Sequence, residues 1–143
     1  MKVETTYHGT REYGEKDIIE FSKGIPGLDK LKKFIIFPVE DNEVFSILHS
    51  IEDESIGFVI ASPFGVATDY EFKLEDDVMN RLRISKNEDL LVFNIVTLNS
   101  NVEKITMNLR APIIINIKEK LGEQIILNNE KYLIKYPIFK EKV

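Results

Sequence analysis

The chain predicts a mainly β fold, a small antiparallel β-barrel-like or sandwich domain with one or two short helices. Three observations carry that expectation. Short apolar runs alternate with polar turns along most of the 143 residues, the spacing of an all-β domain. Residues 104–110 place Ile105, Met107 and Leu109 on one face and Lys104, Thr106, Asn108 and Arg110 on the other, the pattern of a strand with one wet face. A clear helical period occurs where Leu74, Val78 and Leu82 stand four apart, with Asp76 and Asp77 ahead of Arg81 and Arg83, an order that matches the helix dipole.

Taken in order, the candidate strands are 2–7, 17–21, 34–39, 44–50, 57–61 and 70–73, then 90–98, 104–109, 113–117, 123–127 and 132–136. The run Leu90-Leu91-Val92-Phe93-Asn94-Ile95-Val96 is apolar on both faces. It is expected to lie centrally or to be covered on both sides, and Asn94 then needs a hydrogen-bond partner. Helices are expected at 74–83, at 26–33 for at most two turns, and at 118–121 for one turn ended by Gly122. With no linker, repeat or low-complexity segment, a single domain over 1–143 is expected. So many strands must guard their edges, which a closed barrel or a sandwich does best.

Composition narrows the function. The absence of cysteine removes disulfides, thiolate zinc sites and thiol catalysis, and suits a reducing cytoplasm. No apolar run approaches the ~20 residues of a membrane span, and the N-terminus carries no signal-like apolar core. A soluble cytoplasmic protein without membrane contact is expected. The net charge of −5 and pI near 5.2 argue against direct binding of a phosphate backbone. Charge is also unevenly spread: residues 1–72 hold 14 acids and 7 bases, residues 73–143 hold 10 and 12. Between 34 and 72 there is no Lys or Arg, but eight carboxylates. They form either a solvated face or a surface for a basic partner.

No catalytic constellation is visible. His8 and His49 pair with no nucleophile or ligand spacing, no calcium-loop pattern exists, and no glycine-rich phosphate loop exists. No catalytic residue, metal ligand or cofactor is assigned. Two motifs remain. Gly24-Ile25-Pro26-Gly27 has type II turn chemistry, with Pro26 at the second and Gly27 at the third position; Ile25 on that turn is also a contact candidate. Ser62-Pro63-Phe64-Gly65 is a loop whose Phe64 is either core-lining or an interaction anchor. The stretch Asn108-Leu109-Arg110-Ala111-Pro112-Ile113-Ile114-Ile115-Asn116 reads as strand, corner and strand, since proline punctuates a sheet.

These motifs resemble the FliW family of flagellar assembly factors. The resemblance runs in order through Glu4-Thr5-Thr6-Tyr7-His8-Gly9, the block from Ile19 to Leu28 around the Gly-Ile-Pro-Gly turn, Ile47-Leu48-His49-Ser50, Pro63-Phe64, Asp69-Tyr70, Glu88-Asp89 before Val92-Phe93, and the block from Asn108 to Asn116. It departs at His49, where the family usually has glutamine. It implies a non-enzymatic β-barrel-like protein that binds two partners: flagellin, and CsrA, a small basic dimeric RNA-binding repressor of translation. On that basis Glu40, Asp41, Glu43, Glu52, Asp53 and Glu54 are the expected CsrA-facing residues, and Ile25, Phe64 and Tyr70 the expected flagellin anchors. Asn108 and Asn116 are expected to tie the corner at Pro112. The reading left open beside it is a small-molecule-binding barrel or a carboxylate-dependent hydrolase.

Overall fold

Strands that bury one face and leave main chain open at their edges are most economically protected by closure. The computed structural model describes residues 1–40, 42 and 44–139. Its strands are β1 (Lys2–Thr5), β2 (Gly9–Glu12), β3 (Ile19–Glu20), β4 (Lys33–Pro38), β5 (Ser46–Ser50), β6 (Gly57–Ala61), β7 (Leu90–Thr97), β8 (Thr106–Met107), β9 (Ile113–Asn116), β10 (Leu121–Gln124) and β11 (Tyr136–Pro137). Among the described residues one α-helix occurs, α1 (Asp76–Arg81). Seven strands close a barrel in the order β7-β6-β5-β4-β3-β10-β9, with β9 returning to β7. The barrel, not the sandwich, is therefore the architecture.

Strand β7 makes closure possible by dividing its length. Leu90 to Phe93 pair with β9, Asn94 and Ile95 with β6, and Val96 and Thr97 with β8. Every neighbouring pair in the barrel is antiparallel except β3 and β10, which meet in parallel at Glu20 and Leu121. The β1–β2 hairpin lies outside the ring as a separate two-stranded sheet, and β8–β11 extend it from β7.

Alternation assigns the residues to layers. Phe21, Phe34, Leu48, Ile60, Ile113 and Ile115 form one buried cluster. Ile114, between two members of that cluster, instead packs with Val78 and Leu82 of the α1 segment. The Ile-Ile-Ile run is thus apolar on both faces because a helix covers the outer one. Tyr70, Met107, Leu109 and Tyr132 form a further cluster beside the ring, and Val3 of the hairpin joins Ile35, Phe37 and Ile47.

Several expectations are revised. Residues 26–30 form turns rather than a helix, and Lys33 already belongs to β4. Ile25 and Leu28 close a bridge across Pro26 and Gly27, the Leu28 N–H donating to Ile25 O at 2.7 Å, with Gly27 at φ 87, as the type II turn demands. Gly24 has φ 67, and a Cβ there would stand 2.8 Å from the Asp29 main chain. At 118–121 the predicted helical turn is a hairpin turn with Lys120 at φ 57. Gly122 is not its cap but a strand residue lying so close to Phe21 that a Cβ would meet the ring at 2.6 Å. Strand β2 is unforeseen because Gly9-Thr10-Arg11-Glu12 has no apolar alternation; it forms by pairing with β1. Leu91, expected to be covered, is exposed. Residues 70–73, expected to be a strand, pair with no strand among the described residues.

Candidate protein-binding surfaces

Of the carboxylates expected to face a partner, the described ones, Glu40, Glu52, Asp53 and Glu54, lie in two loops, and the barrel separates them. Pro38 pairs with Ser46 and Phe34 with Ser50, so the β4–β5 connection leaves one end of β5 and the β5–β6 connection leaves the other. Four residue steps along β5 put about 14 Å between the two loop bases. Glu40 is exposed in the first loop; Asp41 and Glu43 lie outside the described residues. Glu52, Asp53 and Glu54 are exposed in the second. Among the described carboxylates, the acidic face expected from sequence is therefore divided between the two loops.

The second patch is also a built turn. The Ser50 hydroxyl, fully buried, accepts from the Glu52 and Asp53 N–H groups, both at 3.0 Å. Glu52 Oε1 accepts from the N–H groups of Lys32 and Lys33 at 2.7 and 2.8 Å, securing the start of β4. Asp53 Oδ1 accepts from the Ser55 hydroxyl at 2.7 Å and its N–H at 2.9 Å, which holds the carboxyl below its ordinary range. Glu54 ties the hairpin by its carbonyl, which accepts from the Thr6 N–H at 2.9 Å. Its carboxylate makes no ion pair or hydrogen bond among the described residues.

Of the apolar candidates, Ile25 is 3% and Tyr70 4% exposed, while Phe64 is 48% exposed. Burial removes Ile25 and Tyr70 as direct anchors and leaves Phe64 with surface to offer. Tyr70 organises what lies beneath: its hydroxyl donates to Leu109 O, its ring meets Tyr132 edge-on at 4.8 Å and Phe64 at 6.2 Å, and burial pushes its hydroxyl up to about 12. Asn94 finds the partner its position requires, donating to Asn108 O at 2.7 Å, although its Oδ1 has none among the described residues.

Residues that sequence reasoning did not single out border a cleft of about 950 Å³ between segment 71–75 and the chain after β10. Arg81 bridges Glu123 with two 2.9 Å bonds, and reaches Asp77 at 3.2 Å. These carboxylates raise the guanidinium further above its ordinary value, and Arg81 holds Asp77 below the usual carboxylate range. Glu123 is buried and Arg81 lies 42 positions before it, so no local spacing announces the pair. The Tyr132 hydroxyl donates to Glu71 O at 2.5 Å and accepts from Glu71 N at 3.1 Å, pinning one end of the segment. Asn116 is structural, as expected, but with different partners. Its Nδ2 donates to Leu82 O and Arg83 O at 2.8 and 3.1 Å, and its Oδ1 accepts from Lys118 N and Glu119 N. It ties the end of α1 to the β9–β10 turn; Asn108, accepting from Arg110 N at 3.0 Å, serves the corner.

The histidines form an aromatic contact between hairpin and barrel. His8 lies 5.8 Å from Phe37 and 6.3 Å from His49, and Arg11 sits 4.3 Å above the Phe37 ring. His49 is buried, with Nδ1 donating to Ser50 O at 2.7 Å. Among the described residues no group of three metal-ligating side chains comes together.

The model of the FliW protein family matches residues 2–138. A flagellar assembly factor FliW from Clostridium novyi (strain NT) is 62% identical over 143 residues, spanning 100% of both chains. Another from Clostridium botulinum (strain Okra / Type B1) is 60% identical over 142 residues, 99% of each. A crystal structure of the flagellar assembly factor FliW superposes with a TM-score of 0.94 at 39% identity, covering 100% of both chains. The match runs through every strand of the barrel and both outlying sheets, and the chain belongs to the FliW family of flagellar assembly factors.

Proposed function

We propose that this chain is a non-enzymatic cytoplasmic regulator of flagellar assembly that binds flagellin and CsrA in turn. Bound to the chain, CsrA is kept from repressing flagellin synthesis; accumulating free flagellin takes its place and releases the repressor. The observation that carries this reading is a barrel filled by its own side chains, with carboxylates displayed outside it. Phe21, Phe34, Leu48, Ile60 and Ile113 are fully buried at its centre, space that a ligand-binding barrel keeps for its ligand. Exposed carboxylates at Glu40 and at Glu52, Asp53 and Glu54 suit a cationic RNA-binding partner, for which charge steers encounter. The loop residue Phe64 is the apolar anchor proposed for flagellin, with Tyr70 packed beside it.

A useful switch needs the two partners to disfavour each other by about 1–3 kcal/mol. Calorimetric titration with purified CsrA, repeated after saturation with a C-terminal segment of flagellin, measures that coupling. The expected result is tight CsrA binding that flagellin suppresses at least fivefold. Binding of flagellin alone would reduce the role to a chaperone; binding of neither partner overturns the reading.

A further inference from the structure

Segment 71–75 obeys the rule of a strand without having a strand's neighbour. Glu71, Lys73 and Glu75 are exposed, while Phe72 and Leu74 between them are half-buried and pack against the Val78, Leu82 and Ile114 cluster. Alternation of this kind is what a pleated strand on a core produces. Yet the N–H groups of Phe72, Lys73 and Leu74 have no main-chain or side-chain acceptor among the described residues. The segment is an edge with nothing added to it, and such edges template further strands.

The opposite bank of the cleft has the same character. Past β10, Ile125 N donates to Pro112 O at 3.0 Å and Leu127 N to Arg110 O at 2.7 Å. These two continue the β9 pairing inward. Successive strand residues point their hydrogen-bonding groups to opposite sides, and the intervening Ile126 and Asn128 N–H groups have no partner among the described residues. Strand β3 pairs with β10 only at Leu121, so among the described residues no strand covers this outer edge further along. Both banks line the cleft. On the far side of segment 71–75, Phe64, Phe72, Leu74 and Met79 line an adjoining mostly apolar hollow of about 470 Å³.

Charge selects the occupant. Arg81 is engaged by Glu123 and Asp77, which leaves Glu71, Glu75 and Glu130 facing Lys23 and Lys73 around the cleft. The uncommitted rim is net negative. We propose that an extended, lysine- or arginine-bearing segment of a protein partner adds as a strand in this cleft, pairing with the open main chain of residues 72–74. Main-chain bonds supply affinity, an apolar side chain fills the adjoining hollow, and the rim carboxylates select cationic flanks. The inference rests on the reading above, in which the cationic partner is CsrA.

Residue-resolved amide hydrogen exchange, on the free chain and with saturating purified CsrA, tests it beside calorimetry of the same samples. Amides 72–74, 126 and 128 are expected to exchange rapidly in the free chain and about tenfold or more slowly in the complex. The double variant Glu71→Lys, Glu75→Lys should weaken CsrA binding by on the order of tenfold at low salt, less at high salt. CsrA binding without slowed exchange overturns strand addition and leaves the proposed function intact. Slowing by flagellin but not by CsrA overturns the cationic occupant. No CsrA binding overturns both.

Discussion

Two stretches of this chain set apolar side chains on the core and meet different fates. Strand β6, Gly57–Ala61, is paired on one edge by β5 and on the other by β7, and Ile60 within it is fully buried. Residues 71–75 alternate in burial as a strand does but have no ladder on either edge among the described residues. Local pattern is enough to choose which side chains face a core. A ladder is a property of two segments, and only the ring supplies the second one here.

The contrast has energetic consequences, the largest inside the ring. Phe34→Ala should lower unfolding free energy by about 3–5 kcal/mol, because a fully enclosed ring leaves a cavity its neighbours cannot fill. The Phe34 ring meets Phe21 edge-on at 5.3 Å and is not exposed at all. Phe72→Ala, on the half-buried strand without a ladder, should cost less than half as much. Denaturant midpoints of the two variants at unchanged slope make the comparison; equal losses would mean residues 71–75 are as integral as the barrel.

Next comes Asn116, where the ring is joined to α1. Asn116→Ala leaves Leu82 O, Arg83 O, Lys118 N and Glu119 N without their present partner. Buried polar groups left unsatisfied cost about 1–3 kcal/mol. The loss should be concentrated at the α1 end, read as faster amide exchange over residues 76–83 than over β4 and β5. Uniformly faster exchange would place Asn116 in the global core instead.

How much of this was legible depends on whether the information was local. Val78 and Leu82 announced the inner face of α1, and Ile105, Met107 and Leu109 announced theirs, because a helix and a strand repeat at fixed short periods. The Gly-Ile-Pro-Gly turn was readable from its own chemistry, but the helix expected after it was not formed; Phe21 N instead donates to Lys32 O at 2.7 Å, folding the whole loop back onto itself. Asp41 and Glu43 fall outside the described residues, and the rest of the acidic stretch looked continuous along the chain. The reversal of direction at β5 split it, which no count of charges contains. The Arg81–Glu123 pair and the open edge at Ile126 depend on segments far apart in sequence, and the motif resemblance supplied the family without supplying either.

The split acidic stretch gives a sharper test of which carboxylates are for binding. Glu52 holds the Lys32 and Lys33 N–H groups, whereas the Glu54 side chain holds nothing among the described residues. Glu52→Lys should therefore cost about 1 kcal/mol of stability, so a triple reversal of Glu52, Asp53 and Glu54 confounds folding with binding. Glu54→Lys should leave the melting temperature within a degree or so, since surface changes rarely exceed ~0.5 kcal/mol, while slowing CsrA association at low salt. Stopped-flow association rates against salt decide it, and an unchanged rate at low salt removes the second patch from the partner surface.

The smallest effect concerns the hairpin, a two-stranded sheet outside the ring that leans on it. His8 titrates below its ordinary 6.5, first because it is partly desolvated, then because His49 and Arg11 stand near it. The folded state therefore prefers the neutral ring. Its contribution to stability is intact above pH 6.5, begins to fall as pH drops below that value, and is fully lost once pH passes the lower folded pKa. Protonation would add a cation beside Arg11 over the Phe37 contact that docks the hairpin, with Val3 packed in the same cluster. Asp53 and Asp77 are held below 3.8 and act in the same sense, but their contributions are lost only as pH falls below 3.8 and through their lower folded values. The histidine window is therefore clear of them. Corrected for the intrinsic rate, which slows on acidification, amide exchange over residues 2–12 should quicken from pH 7 to 5 while that of β5 and β6 stays level, and His8→Gln should flatten the difference. A hairpin whose corrected exchange is level across that range would show that its docking is carried by Val3 and the Thr6 to Glu54 hydrogen bond, and not by the aromatic contact.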